Sequence, residues 1–211
     1  MFIRAVQGKG RSVIYFSSDG KRLIRSGGSP AWRNNNPGNL RKGTRWKEWG
    51  SIGLVGGFCV FPDYATGRNA NRSLLKSTYL NFTLYRLPTR YAPRKHKNRV
   101  ERYRRRLHEF SGFDLKRVIR TLTAKEIEIL LDAIQRIEGY EVGKEAALGP
   151  AKKIIDVKRD RKGRIVAYFV EDSGWLSPVD TVKGILSGDI DGVVAHRGER
   201  CLRADETGWS G

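Results

Sequence analysis

The 211 residues suffice for one sizeable domain, or for one of about 150 residues with a small appendage. Apolar residues make up 39%, which excludes wholesale disorder, and the lack of a run of about 18 apolar residues argues against a transmembrane helix. The net charge of +19 is lodged almost wholly in residues 1–150, where 30 Lys and Arg face 12 Asp and Glu; residues 151–211 hold 11 against 10. Such an imbalance suits a polyanionic partner: nucleic acid, an anionic lipid surface or the anionic bacterial wall.

The chain opens on a predicted hairpin. Val13-Ile14-Tyr15-Phe16 is a β-branched and aromatic run, Ser18-Asp19-Gly20-Lys21 supplies a turn, and Arg22-Leu23-Ile24-Arg25 returns before Gly27-Gly28-Ser29-Pro30 breaks the strand. The N-terminus carries no long apolar stretch before a small-residue cleavage site, so no Sec signal peptide is expected. From Trp32 to Pro62 the chain is dense in Asn, Gly and Trp, the composition of an irregular functional segment.

Helices are predicted next. Thr66 caps a segment whose Ala70, Leu74, Leu75 and Tyr79 recur at helical spacing. After a break bracketed by Pro88 and Pro93, Val100, Tyr103, Leu107 and Phe110 form a narrow apolar stripe on a helix coated with arginine; Leu115, Val118, Ile119 and Leu122 suggest a further short helix. The clearest helix starts at Thr123, where Thr123 and Glu126 form a capping box ahead of Ile127, Leu130, Leu131, Ile134 and Ile137, and Gly139 stops it.

A boundary is expected near Leu148-Gly149-Pro150, where the charge balance also changes. Beyond it, Ile154–Val157 and Ile165–Val170 flank an Asp160–Gly163 turn, Ser177 starts a helix ended by Gly188, and Val193–His196 reads as a strand, giving a ββαβ unit. This unit resembles a small bacterial accessory domain of unknown function.

The stretch Arg33-Asn34-Asn35-Asn36-Pro37-Gly38-Asn39-Leu40-Arg41, with Ile52-Gly53 and Gly56-Gly57-Phe58-Cys59-Val60-Phe61 after it, resembles a group of phage virion proteins and secreted bacterial effectors sharing an RNNNPGN(I/L)R motif. The likeness continues through Arg90-Tyr91-Ala92-Pro93, Asn98 and Tyr103 to Ala133–Gly139, about half the chain. It implies cleavage of peptidoglycan. The loop and the run Ala133-Ile134-Gln135-Arg136-Ile137-Glu138-Gly139 are also similar to pieces of glucosaminidases and lytic transglycosylases, in circularly permuted order. The expected architecture is an α+β chain: a mainly helical lysozyme-like domain over residues 1–148 (hairpin 1–30, core 31–148), a small ββαβ domain over 151–203 and a tail over 204–211.

Glu138 is the expected general acid. Counting about 100° per residue, it falls between Leu131 and Ile134 on the apolar face of its helix, and at the last turn it meets the negative end of the helix dipole. Both effects raise a carboxyl pKa, the adjustment that protonation of a glycosidic oxygen requires. The alternative is a helix that ends at Glu138 with the side chain in water. A second carboxylate, where the mechanism uses one, would be Glu48, Asp63 or Glu141, and spacing does not choose between them. Arg33, Asn34, Asn35, Asn36 and Asn39 with Trp32, Trp46, Trp49 and Tyr91 suit a sugar cleft, amides for hydroxyls and ring faces for pyranoses, or equally turn geometry and core filling.

Between Arg86 and Arg106 ten Lys and Arg meet one acid. Arg94, Lys95, Lys97, Arg99, Arg102, Arg104, Arg105 and Arg106 are the candidate polyanion-binding residues, or simply a solvated helix face.

No metal or organic cofactor is implied: His96, His108 and His196 lack metal-ligand spacing, Glu141-Val142-Gly143-Lys144 lacks the acid-x-Lys pattern of metal nucleases, and no P-loop or GxGxxG occurs. Cys59 and Cys201 are expected as two buried free thiols. The leading expectation is an enzyme made in the bacterial cytoplasm without a signal peptide that reaches the periplasm or wall by non-Sec delivery. Its partners would be peptidoglycan, an immunity protein, and a secretion machine or virion. The rivals are a nucleic-acid-binding or nuclease toxin of the cytoplasm and a non-catalytic virion or interaction module.

Overall fold

β-branched and aromatic residues concentrate in the first 25 positions, and there they build a sheet rather than a lone hairpin. The computed structural model describes residues 1–43, 45–91 and 97–192. Strand β1 (Phe2–Gln7) pairs antiparallel with β2 (Ser12–Ser17), β2 with β3 (Arg22–Ser26), and β3 with β6 (Lys144–Leu148), which returns from the far end of the helical region. The order β1-β2-β3-β6 makes β2 a central strand. Both its faces are covered: Val13 and Tyr15 pack with Ala5, Val55 and Val60, while Ile14 and Phe16 are buried on the other side. That explains an unbroken apolar run in place of the alternation of a half-exposed strand.

Between these strands run the short helix α1 (Pro30–Arg33), the ribbon of β4 (Gly53–Val55) and β5 (Phe58–Val60), and the longer helices. Helix α2 (Tyr64–Ser77) is capped by Asp63, whose Oδ1 accepts from the Thr66 amide at 2.7 Å, so the cap lies three residues before the expected Thr66. Helix α3 (Pro88–Tyr91) and α4 (Lys97–Ser111) come next. The helix expected around Leu115–Leu122 is only a 3-10 turn at Ile119–Thr121, because Leu84 and Tyr85 amides take the Arg117 and Leu115 carbonyls and hold that stretch extended. Helix α5 (Ala124–Glu138) carries the full capping box of Thr123 and Glu126 and ends at Gly139, φ +74°. Its Ile127, Leu130, Leu131 and Ile134 are buried with Leu75, Leu84, Leu87, Tyr103, Leu107 and Ile119 in the helical core. Each such side chain contributes about 1.5–3 kcal/mol by burial.

The last described part holds β7 (Ile154–Arg159), β8 (Ile165–Val170) and β9 (Gly174–Leu176) in one antiparallel sheet, then α6 (Pro178–Ser187). A third strand precedes the helix where ββα was expected; the Val193–His196 strand and the 204–211 tail lie outside the described residues. This part is fastened to the first sheet. The Arg22 guanidinium donates to the carbonyls of Gly149 (2.6 Å), Pro150 (3.1 Å) and Gly188, and a Cβ on Gly188 would stand 2.9 Å from Ile14 Cδ1.

The expectation of a mainly helical, lysozyme-like domain is thereby overturned. The protein is α+β with six helices and three antiparallel sheets among the described residues, and it is 34% helical. The misreading arose because β6, β4–β5 and β9 are short strands of small or mixed residues without alternation, whereas the helical stripes are long and regular. No helix among the described residues is long and apolar enough to cross a membrane.

Candidate functional site

The Asn-rich loop after α1 is built by its own side chains. Asn36 is fully buried; its Nδ2 donates to the Leu40 and Cys59 carbonyls, both at 2.9 Å, and its Oδ1 accepts from the Leu40 amide at 2.8 Å. Asn35 donates to the Phe61 carbonyl at 3.1 Å and accepts from Arg25 at 2.5 Å. The Phe61 and Cys59 amides donate to the Asn34 and Leu40 carbonyls, so the loop is laced to β5. Gly67 of α2 permits this: a Cβ there would fall 1.8 Å from the Asn35 carbonyl oxygen. Asn35 and Asn39 adopt positive φ, 50° and 48°, a conformation asparagine tolerates better than most residues.

The framework leaves Asn39 to project toward the end of α5. Its Nδ2 donates to Glu138 Oε2 at 3.1 Å, while its Oδ1 is buried without a hydrogen-bond partner. The Tyr103 hydroxyl, from α4, donates to Glu138 Oε1 at 3.1 Å. Three segments thus converge on one partly exposed carboxyl, with the positive charge of Arg41 also felt there. Burial is the largest influence and raises the Glu138 pKa; the two hydrogen bonds and Arg41 oppose it without cancelling it. A carboxyl that keeps its proton further up the pH scale, and still meets solvent, can act as a proton donor.

The other candidates divide. Of the proposed second carboxylates none is brought to Glu138: Glu48 is exposed and paired with Arg45 at 2.7 Å, Asp63 caps α2, and Glu141 is exposed with its backbone held by Ser29. Asn34, Asn35 and Asn36 are buried; the Asn35 and Asn36 side chains bond backbone carbonyls as framework, whereas Asn34 takes part through its own carbonyl and its Oδ1 is buried without a partner. Trp32 is buried beneath the Arg25 guanidinium, 5.0 Å from its ring, and Arg33 donates to the carbonyls of Gly27 and Gly28. Trp46 and Trp49 remain partly exposed, packed on the small core of Leu40, Cys59, Phe61 and Ala70. Tyr91 ends α3.

Of the basic candidates, Arg94 and Lys95 lie outside the described residues and Lys97 begins α4. Arg99, Arg102, Arg105 and Arg106 are exposed, whereas Arg104 is partly buried, stacked 3.6 Å from the Tyr85 ring centre and paired with Glu101. Cys59 is buried as a free thiol, its pKa raised by burial; Cys201 lies outside the described residues.

Sequence reasoning did not single out Tyr103 or Arg41 as site neighbours. Tyr103 reads as one more member of the apolar stripe, and only its phenol oxygen, with a need for a partner once buried, signalled otherwise. Among the described residues no three His, Cys, Asp or Glu side chains are grouped so as to hold a metal ion. An open depression of about 860 Å³, lined by residues including Thr83, Tyr85, His108 and Leu115, shares no residue with the Glu138 cluster. Comparison with protein-family models and with curated proteins finds no match to the chain.

Proposed function

We propose that the protein cleaves the glycan strand of peptidoglycan with Glu138 as its general acid. The observation that carries this reading is the Glu138 environment: a carboxyl with raised pKa, oriented at both oxygens by Asn39 and Tyr103, yet partly open to solvent. The reading stands on that geometry and on the motif, and needs no lysozyme-like fold.

Protonated Glu138 would donate its proton to the glycosidic oxygen as the bond to the anomeric carbon breaks. Since none of the candidate second carboxylates adjoins it, the resulting carboxylate is the group at hand to take a proton from the nucleophile. That nucleophile is either water, giving hydrolysis, or a hydroxyl of the same sugar, giving an anhydro product by transglycosylation; in both, protons and bonds balance and Glu138 returns to its starting state. Donors on both carboxylate oxygens stabilise the ionised form that appears at the leaving-group step.

Action on the wall further implies delivery from the cytoplasm by a virion or secretion route, and, for an antibacterial effector, an immunity protein. A nucleic-acid-directed toxin is the second reading, favoured by the excess of 30 basic over 12 acidic residues in positions 1–150. Incubation with purified sacculi and with nucleic acid separates the two. Release of muropeptides, identified by mass spectrometry and lost in Glu138→Gln, supports glycan cleavage; degradation of nucleic acid with intact sacculi overturns it.

A further inference from the structure

Tyr103 is flanked on its own helix by Arg99 four residues before it and Arg106 three residues after it, the positions that neighbour it along an α-helix. Arg102 adjoins them on the same flank. All three arginines are exposed, and among the described residues none has an ion-pair partner. The row continues at Phe110, four residues beyond Arg106, where Arg136 of α5 stacks 4.0 Å from the ring centre. Arg41, whose charge reaches Glu138, sits 4.6 Å from the Phe58 ring centre. Tyr103 connects the candidate acid to the arginine flank of α4 through its hydroxyl, while Arg41 is the cation that bears on the Glu138 carboxyl itself.

Arginines held apart on one flank and left without acids repel each other, so the arrangement is favourable only when anions neutralise it. Arg104, by contrast, is paired with Glu101 and stacked on Tyr85, and Arg105 points to the far side of α4, away from Tyr103. Arg99, Arg102 and Arg106 share the flank of α4 that carries Tyr103, whose hydroxyl reaches Glu138.

We infer that the row of Arg99, Arg102, Arg106 and Arg136 binds the carboxylates of the peptides attached to the glycan, so that the substrate is the peptide-bearing anionic polymer rather than a neutral β-linked glycan. The inference rests on the glycan-cleaving reading and deepens it. Guanidinium groups form forked pairs with carboxylates, and a strand whose glycosidic oxygen lies at Glu138 carries its substituents outward to the helix flank. The row would set which polymer is held and in what register, while Glu138 performs the proton transfer.

The test measures binding, so that it stands apart from catalysis. Wild type, Glu138→Gln, the triple variant Arg99→Gln/Arg102→Gln/Arg106→Gln and a charge-matched control, Lys158→Gln/Arg161→Gln/Lys162→Gln on the distant hairpin, are cosedimented with three particles. These are sacculi free of teichoic acid, the same sacculi with their peptide carboxylates converted to amides, and chitin, each over a range of salt. The expected result is retention on intact sacculi that falls with salt, is lost on chitin and reduced on amidated sacculi, and is about tenfold weaker for the first triple variant only. Equal retention on amidated sacculi or chitin overturns the inference, as does a control variant as weak as the arginine variant. Displacement from sacculi by far less duplex DNA than soluble peptide-bearing glycan also overturns it and transfers the row to nucleic acid. A Glu138→Gln protein that still cleaves defeats the proposed mechanism while leaving these binding results to be judged on their own.

Discussion

Asn39 and Glu138 stand 99 residues apart in sequence, and the amide of the first donates to a carboxylate oxygen of the second at 3.1 Å. The contact joins the loop laced to β5 with the end of the helix built on the capping box of Thr123, so two independently stabilised segments fix the position of one titratable group. Precision of this kind comes from rigid supports on both sides of the contact.

Glu138→Gln should reduce glycan cleavage by about 10²–10⁴-fold, the range for a lost general acid. The same variant should be more stable than wild type at neutral pH. A carboxyl whose folded pKa lies above its unfolded value binds more protons in the native state, so its destabilising effect grows as pH rises from the unfolded toward the folded pKa and is absent below both. The gain in Tm should therefore be present at pH 7 and vanish below about pH 4, near the ordinary Glu value. The Asn39 amide can turn to offer its unpartnered Oδ1 to the new Gln Nε2. A melting series that shows the gain at acid pH and not at neutral pH would contradict the assignment.

Asn39→Gly and Tyr103→Phe each remove a donor from the Glu138 carboxylate. Glycine keeps the positive φ of Asn39, 48°, that alanine would strain. Both variants should shift the alkaline limb of the pH–activity profile upward, because the ionised form loses support and the proton is held more tightly. Asn39→Ala should show the same shift with an added stability loss of about 1 kcal/mol from its backbone. An unmoved limb in both Asn39→Gly and Tyr103→Phe would remove these residues from the site.

Asn36→Ala should cost about 3 kcal/mol in chemical denaturation, since it deletes three hydrogen bonds and leaves buried backbone groups of Leu40 and Cys59 without that partner. Activity should fall only in proportion to unfolding and to displacement of Asn39. A pure loss of substrate affinity at unchanged stability would restore Asn36 to the sugar-binding surface.

The capping box gives an acid-limb prediction of opposite sign. Arg117 and the Thr123 backbone hold the Glu126 pKa down to about 2. A depressed folded pKa contributes stability that is present above the unfolded value and is lost as pH falls through the folded one. Wild type should thus exceed Glu126→Gln at neutral pH and converge with it near pH 2, whereas Thr123→Ala should lose about 1 kcal/mol at neutral pH through the cap alone.

The elements legible in the sequence are those with strong local chemistry: the β2–β3 turn, the α5 stripe with its cap and stop, and the place of Glu138 on that helix. The capping box announces itself because two residues three positions apart, Thr123 and Glu126, suffice to write it. What escaped was set by tertiary pairing. β6 reads as Lys-Glu-Ala-Ala-Leu, a poor strand by composition, and is one only because β3 offers an edge to it. Asn35 and Asn36 looked like ligands for sugar and bond the backbone around them, a distinction that composition does not encode. Glu138 was found from periodicity, but its partner Tyr103 was hidden in an apolar stripe, where the hydroxyl counts only once its neighbour is known.

The return of β6 to β3 also imposes an order on synthesis. Residues 22–26 leave the ribosome well before residues 144–148, so one edge of the nascent first sheet stays open while the whole helical region is made. At 5–20 residues per second the interval is on the order of 10 s. During it the β3 edge is a template for any other extended chain, including a second nascent copy. Arg22 and Arg25, three residues apart and so on opposite faces of β3, then act as the guard by placing positive charge along the edge that must wait. Removing that charge should show itself as aggregation during expression, in addition to the loss of the Arg22 bonds to Gly149, Pro150 and Gly188 in the finished fold.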